Sequence, residues 1–441
     1  MKGRVKAALG VLALLCLAAT ATISGATPLP DLTGIPARQP EPARTHPPGT
    51  TLREVDGGTA FYARFSNALP TDPGYFPVGV WFESALEKDY VAKDLAAGLN
   101  TYVVLTPDSD LALVRRSGMY AIPTFQASLA SGYALGDEVD MWGGGGDAPW
   151  TGKYPGEGDI CVPEQAKCGF TVQQQLRAAA PPGAMVYANY GKGVTFWLSD
   201  EQSQAFIRRF QDVVSADNYW FTDPNICAKT EGGAINGNVR DLDPEECRLA
   251  ANYGWTVERI RKLAGGAAPV WAFVEAGHPF EDSPAATTIT GPQLRAAVWS
   301  SLIHGARGIV YFNHSFGGDC VTQHVLRDCP GDVLPAVTAV NKQIKELAPV
   351  LNSPFLDGAA TATGPVDSSA RLHDGKVYVF AGANRPSGGQ ASFRLACGGT
   401  TAVVIDENRT IPVSDGTFTD TFADGNTVHL YRIEGGGSCG F

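Results

Sequence analysis

The sequence predicts an α/β fold: a (β/α)8 TIM barrel followed by a small C-terminal antiparallel β-sandwich. Three observations carry that reading. Short apolar runs alternate with amphipathic segments over residues 76–312, the rhythm of parallel strands joined by helices. Eight such runs within about 270 residues match the size of a barrel, whose strands are covered on both faces and therefore read as unbroken apolar stretches. Beyond residue 356 the texture changes to alternating runs divided by Asp-Gly, Gly-Gly and Pro-Ser turns, as antiparallel strands require.

The elements follow in order. Residues 77–82 (PVGVWF) form the first expected strand, and a helix over 86–97 stops at Gly98, a residue suited to ending helices. Strand 101–105 (TYVVL), helix 109–117, strand 120–124 (YAIPT) and strand 133–135 come next. A Gly-rich insertion and a helix near 171–180 lead to strand 185–188 (MVYA), then helix 200–214 and a sixth strand at 218–221 (NYWF). A helix near 244–263 precedes strand 270–274 (VWAFV), and helix 292–304 precedes strand 308–312 (GIVYF). The 124–133 connection has room for two helical turns at most, so a doubly wound open sheet is the rival fold. That fold normally places a Gly-rich loop after its first strand, and WFESALE is not one. After a helix over 334–347, runs at 376–380, 391–395, 401–405 and 427–431 build the sandwich.

The ends and the composition bound the setting. Residues 1–26 join a basic start to an apolar run over 7–19 and small-residue sites, which reads as a secretory signal peptide. Residues 27–58 are read as a Pro-rich linker, 59–352 as the barrel domain and 353–441 as the sandwich. Lys and Arg number 34 against 45 Asp and Glu, a net charge of -11. Removing Lys2, Arg4 and Lys6 with the leader leaves 31 cations against 45 anions, or -14. Such acidity disfavours nucleic acid and anionic membrane as partners and suits a neutral glycan. Oligomeric state is not legible. Eight cysteines outside the leader fall in close pairs, 161 with 168, 227 with 247, 320 with 329 and 397 with 439. In an exported chain these read as loop-stapling disulfides, although spacing alone leaves connectivity open. No metal or cofactor motif is present: neither CxxC nor clustered His and Cys, neither a P-loop nor GxGxxG, and no GxSxG elbow.

A barrel carries its chemistry where its strands end. Two glutamates stand at such ends, Glu138 after the fourth strand and Glu275 after the seventh. Those strands face each other across the mouth, and two carboxyls flanking one acetal bond are what glycoside hydrolysis needs. Glu138 is read as the acid/base and Glu275 as the nucleophile, with Asp137 raising the pKa of its neighbour. Asp137, Trp81, Trp142, Asn189, Tyr190, Asn313 and His314 are the expected sugar contacts, rings for stacking and polar groups for hydroxyls.

With these residues in place, the stretch over 74–351 resembles the clan of retaining glycoside hydrolases that carries its catalytic glutamates on strands 4 and 7 of a (β/α)8 barrel. The likeness rests on GYALGDEVDMW around Glu138, VWAFVEAG around Glu275 and AAVWSSLIHGARGIVYFNH at the closing strand. It implies a secreted glycosidase working by double displacement, and it makes Tyr219 the tyrosine that touches the nucleophile. Two departures stand out: Asp137 holds the place where that clan has Asn, and the eighth strand lacks the usual Trp. The rival reading is a secreted carbohydrate-binding protein on a degenerate barrel.

Overall fold

A computed structural model describes residues 46–237 and 239–441. The expected leader and residues 27–45 of the expected linker lie outside the described residues.

Eight parallel strands form, numbered here β1 (Val78–Glu83), β2 (Thr101–Leu105), β3 (Tyr120–Ile122), β4 (Tyr133–Ala134), β5 (Val186–Tyr190), β6 (Val213–Ala216), β7 (Ala272–Glu275) and β8 (Ile309–Phe312). They pair as β3-β2-β1-β8-β7 and β4-β5-β6. A bridge from Val214 to Val270 joins β6 to β7. Ser131 N donates to Ala121 O at 2.7 Å and Ala134 N to Pro123 O at 2.8 Å, tying β4 to β3. The ring is therefore closed, and the open-sheet rival falls. Trp81, Val103, Ile122, Tyr187, Trp271, Phe273 and Val310 fill its interior. The short 3-10 helix Phe61–Arg64 plugs the floor, where Tyr62 OH accepts from Trp271 Nε1 at 3.0 Å.

One strand differs from expectation. The sixth is VVSA (213–216), not NYWF (218–221), and its preceding helix is Asp200–Arg209. A β-branched pair favours extended backbone, and Val213 with Val214 supplies it. The segment that contains Tyr219 and Trp220 is instead a buried loop. The helix expected at 244–263 is divided into Pro244–Cys247 and Ala251–Ala264.

Beyond helix Val333–Leu351 the chain forms two antiparallel sheets. The larger has seven strands, with Thr51–Arg53 at its edge against Phe355–Asp357. So residues 51–53 of the expected linker are strand, because their backbone groups complete a sheet edge. Phe393, Phe418 and Tyr431 lie at the centre of the sandwich core. Trp299 of helix Gly291–Ile303 meets Phe380 of the sandwich at 5.4 Å between ring centroids. Disulfides join Cys161–Cys168, Cys227–Cys247, Cys320–Cys329 and Cys397–Cys439. No described helix is long and apolar enough to cross a membrane.

Candidate active site

Four carboxyl side chains gather at the C-terminal ends of β4, β5 and β6. Asp137 and Glu138 follow β4, and Glu138 has a left-handed backbone (φ 48°) as it caps the short helix Val139–Trp142. That conformation costs a non-Gly residue about 1 kcal/mol or more and clusters at functional sites. It also removes the strand alternation that would have sent the two acids to opposite faces. Asp140, on the first turn of that helix, is buried and accepts from Gly191 N at 3.0 Å and Val194 N at 2.8 Å, fixing the loop after β5. Asp217 is the first residue past β6, buried, and within hydrogen-bonding reach of Glu138.

The surroundings set the charge states. Burial raises the Glu138 carboxyl to about 8, and Asp137 and Asp140 add to the rise; the contact with Asp217 and the Lys192 ammonium oppose it. Asp217 is raised well above the usual carboxylate range, first by burial and then by Glu138 and Asp137. Two such groups side by side resist ionising together. Asp217 Oδ2 accepts from Tyr219 OH at 3.1 Å, while Oδ1 has no hydrogen-bond partner. Asp137 is exposed along one side, yet partial loss of water and Asp140 raise it too; its carboxylate accepts from Asn189 Nδ2 at 2.9 Å. Asn189 in turn accepts from Ser215 Oγ at 2.6 Å. Lys192 pairs with Asp223 and with Glu231 (2.8 Å).

Glycine 191 keeps the floor beside the pair open. A Cβ there would stand 2.2 Å from Met141 Sδ and 2.8 Å from Glu138 Oε1, closer than any side chain tolerates.

A cleft of about 430 Å3 opens over β1 to β4, lined by Trp81, Phe82, Tyr133, Asp137 and Tyr154 among others. Phe82 and Val104 both have positive φ (51° and 54°) and line it. Phe82 and Val104 drop out of the ladder together between the pairs Trp81 with Val103 and Glu83 with Leu105, a local break at which the Phe82 ring stands 43% exposed. Trp142 and Trp150 contact Tyr154 at 6.0 and 5.4 Å, on the insertion stapled by Cys161–Cys168. A cleft of about 670 Å3 on the flank, lined by Arg240, Trp255 and Asp367 among others, lies away from the strand ends.

The expected residues divide. Glu138, Asp137, Asn189 and Tyr219 come together, Trp81 and Trp142 stand beside them, and four others serve the scaffold. Glu275 is fully buried: Oε1 accepts from Phe221 N at 2.8 Å and Tyr253 OH at 2.5 Å, and Oε2 from Thr222 N at 3.0 Å. Tyr253 belongs to helix Ala251–Ala264, so this carboxyl faces the helix layer and the loop after Asp217. Burial raises it to about 7 against those hydrogen bonds. Tyr190 faces outward by strand alternation, donating to Gln211 Oε1 at 2.8 Å. Asn313 spends its amide on Glu83 Oε2 (2.6 Å) and Leu326 N (2.8 Å). His314 is buried with Nε2 on Phe82 O at 3.1 Å, a partner for the backbone where the ladder breaks. Glu83, the last residue of β1, is buried against Arg327 and His324 at 2.8 and 2.7 Å.

Sequence reasoning missed Asp217, Asp140, Lys192 and Gly191. The usable signal was the valine pair at 213–214: once β6 is placed there, Asp217 becomes its terminal carboxylate.

No family model and no curated protein matches the sequence. The solved structures similar to this chain include glycoside hydrolases. One is a family 30 endoxylanase from Clostridium papyrosolvens, 12% identical over 88% of this chain and 98% of its own, with a TM-score of 0.44. A glycoside hydrolase family 5 protein from Bacteroides vulgatus is 12% identical over 84% and 91%, with a TM-score of 0.44. A maltogenic α-amylase from Thermotoga neapolitana is 7% identical over 82% and 99%, at 0.46. A likeness of this strength bears on neither reaction nor substrate.

Proposed function

We propose that this protein is a secreted glycoside hydrolase that cleaves a neutral polysaccharide or oligosaccharide, such as a cell-wall glycan, with retention of configuration. The observation that carries the reading is the carboxyl pair Glu138 and Asp217, set just past the ends of β4 and β6 at the mouth of the closed barrel. One carboxyl must donate a proton while the other is ionised, and a shared proton supplies both states at once. A retaining site works with its carboxyls about 5–5.5 Å apart, a spacing this pair takes up once substrate enters between them. Four disulfides support export, since such bonds persist in oxidising compartments.

In the mechanism, substrate parts the pair. Glu138 gives its proton to the leaving oxygen as the glycosidic C–O bond breaks, and Asp217 forms a bond to the anomeric carbon. Glu138, now ionised, takes a proton from water, whose oxygen displaces Asp217. Tyr219 and Asn189 orient the acids, the cleft aromatics stack on the sugar faces, and Glu275 holds the loop behind Asp217. This moves the nucleophile from Glu275, where the family resemblance puts it, to Asp217.

Hydrolysis of a glycan panel with the anomer followed by NMR tests the proposal. Release of the product in its starting configuration supports it. Binding without hydrolysis of any glycan would favour the carbohydrate-binding reading instead.

A further inference from the structure

Away from the mouth, four arginines collect where the barrel floor meets the C-terminal sheet. The guanidiniums of Arg371, Arg53 and Arg261 lie 3.3, 4.1 and 5.8 Å from the ring centroid of Phe355. Arg53 is neutralised by Asp357 at 2.6 Å and Arg261 by Asp56, with Nη2 at 2.9 Å. Arg371 and Arg307 are not. Arg371 is 1% exposed and Arg307 4%, and among the described residues neither meets a carboxylate. Arg371 donates Nη1 to Ser353 O at 2.9 Å, but its Nε has no partner, nor do Nε and Nη1 of Arg307.

A buried cation without a counter-charge is among the costliest things a fold can hold, and an unmade N–H bond adds to the cost. Here two occur, with Arg307 weakening Arg371's hold on its proton, in a chain whose net charge is -11. The aromatic face of Phe355 covers one side of Arg371 and leaves its N–H edge free. Ser369, two residues earlier on strand Val366–His373 and so on the same face, has a buried Oγ with no partner. The carboxylates nearest the cluster are already bound by Arg53 and Arg261, and Glu54 is exposed. A cleft of about 370 Å3, lined by Arg53, Arg261, Phe355 and Ser369 and by the carboxylates Glu258 and Asp357 among others, leads to the same ring.

We propose that this seam binds a small inorganic anion, a halide or a tetrahedral oxyanion, held by Arg307 and Arg371 with Ser369 as a further donor. The anion joins the barrel floor to the sandwich, so occupancy stabilises the folded chain and leaves the mouth untouched.

The test is thermal unfolding of the full chain at fixed ionic strength, exchanging bulky gluconate for chloride, sulfate or phosphate in turn. Wild type should show a saturable rise in midpoint of about 2–5 °C with at least one of them, and Arg307→Gln and Arg371→Gln should lose it. The ion that saturates at the lowest concentration identifies the class. A midpoint that does not move, or that drifts without saturating and equally in both variants, overturns the proposal. Should neither variant fold, chloride-35 NMR of the wild type decides: excess line broadening removed by a tighter-binding anion supports the site, and its absence overturns it.

Discussion

The carboxyl of Glu138, on a left-handed turn after β4, lies within hydrogen-bonding reach of the carboxyl of Asp217, the residue that follows β6. The two are 79 positions apart in the chain; burial raises both, and Glu138 raises Asp217 further while the contact with Asp217 lowers Glu138.

Removing either member should cost most of the activity. Glu138→Gln and Asp217→Asn are each expected to lower kcat by about 100- to 10,000-fold on a poorly activated glycoside. Azide separates the roles: with Asp217→Ala it should yield a glycosyl azide of inverted configuration, and with Glu138→Ala one of retained configuration. Inverted azide product from Glu275→Ala would return the nucleophile to β7.

Glu275 should act on the loop rather than on the sugar. Glu275→Gln keeps the shape but loses the charge that accepts three hydrogen bonds, and about 1–3 kcal/mol of stability should go with it. Urea unfolding measures that loss. The drop in kcat should be far smaller than for Glu138→Gln, and an equal drop would contradict the assignment.

The pH dependence has a defined sign. A general acid works protonated, so kcat should fall as pH passes about 8, where the Glu138 carboxyl titrates. Stability runs the same way. Glu138, Glu275 and Asp140 titrate at about 8, 7 and 6 in the fold, against ordinary values of 4.5, 4.5 and 3.8. The folded chain therefore holds protons that the unfolded chain releases. Their stabilising effect is complete below those ordinary values and is lost as pH rises through 6 to 8. The melting temperature should be higher at pH 5 than at pH 8.5, and Glu138→Gln should flatten the slope. A slope of the opposite sign would refute the burial argument.

The aromatic wall should govern substrate affinity. Tyr154→Ala or Phe82→Ala should raise KM by about 10-fold, with kcat changed much less, since each removes a stacking face on the cleft. Replacing Cys161 and Cys168 together by Ser should raise KM in the same way by freeing the insertion. Steady-state kinetics on one defined oligosaccharide reports all three.

The alternation of apolar runs was legible because burial on both faces leaves little choice of residue, and seven strands fall where the pattern puts them to within a few residues. The sixth was misplaced because NYWF looks more like a buried strand than VVSA does. In the fold the aromatic segment is a loop whose Phe221 and Thr222 amides are bound by Glu275, a partner 53 or more residues away.

By itself, then, the sequence determined the layer architecture and the presence of an acid at the end of β4, since both follow from local composition and spacing, whereas which cysteines join was left to the fold. Tertiary structure alone decided which second carboxyl meets it. A strand pattern says where a side chain leaves the sheet, but one left-handed residue at 138 and three hydrogen bonds at 275 re-aim the groups afterwards. Those depend on atoms that only folding brings into reach.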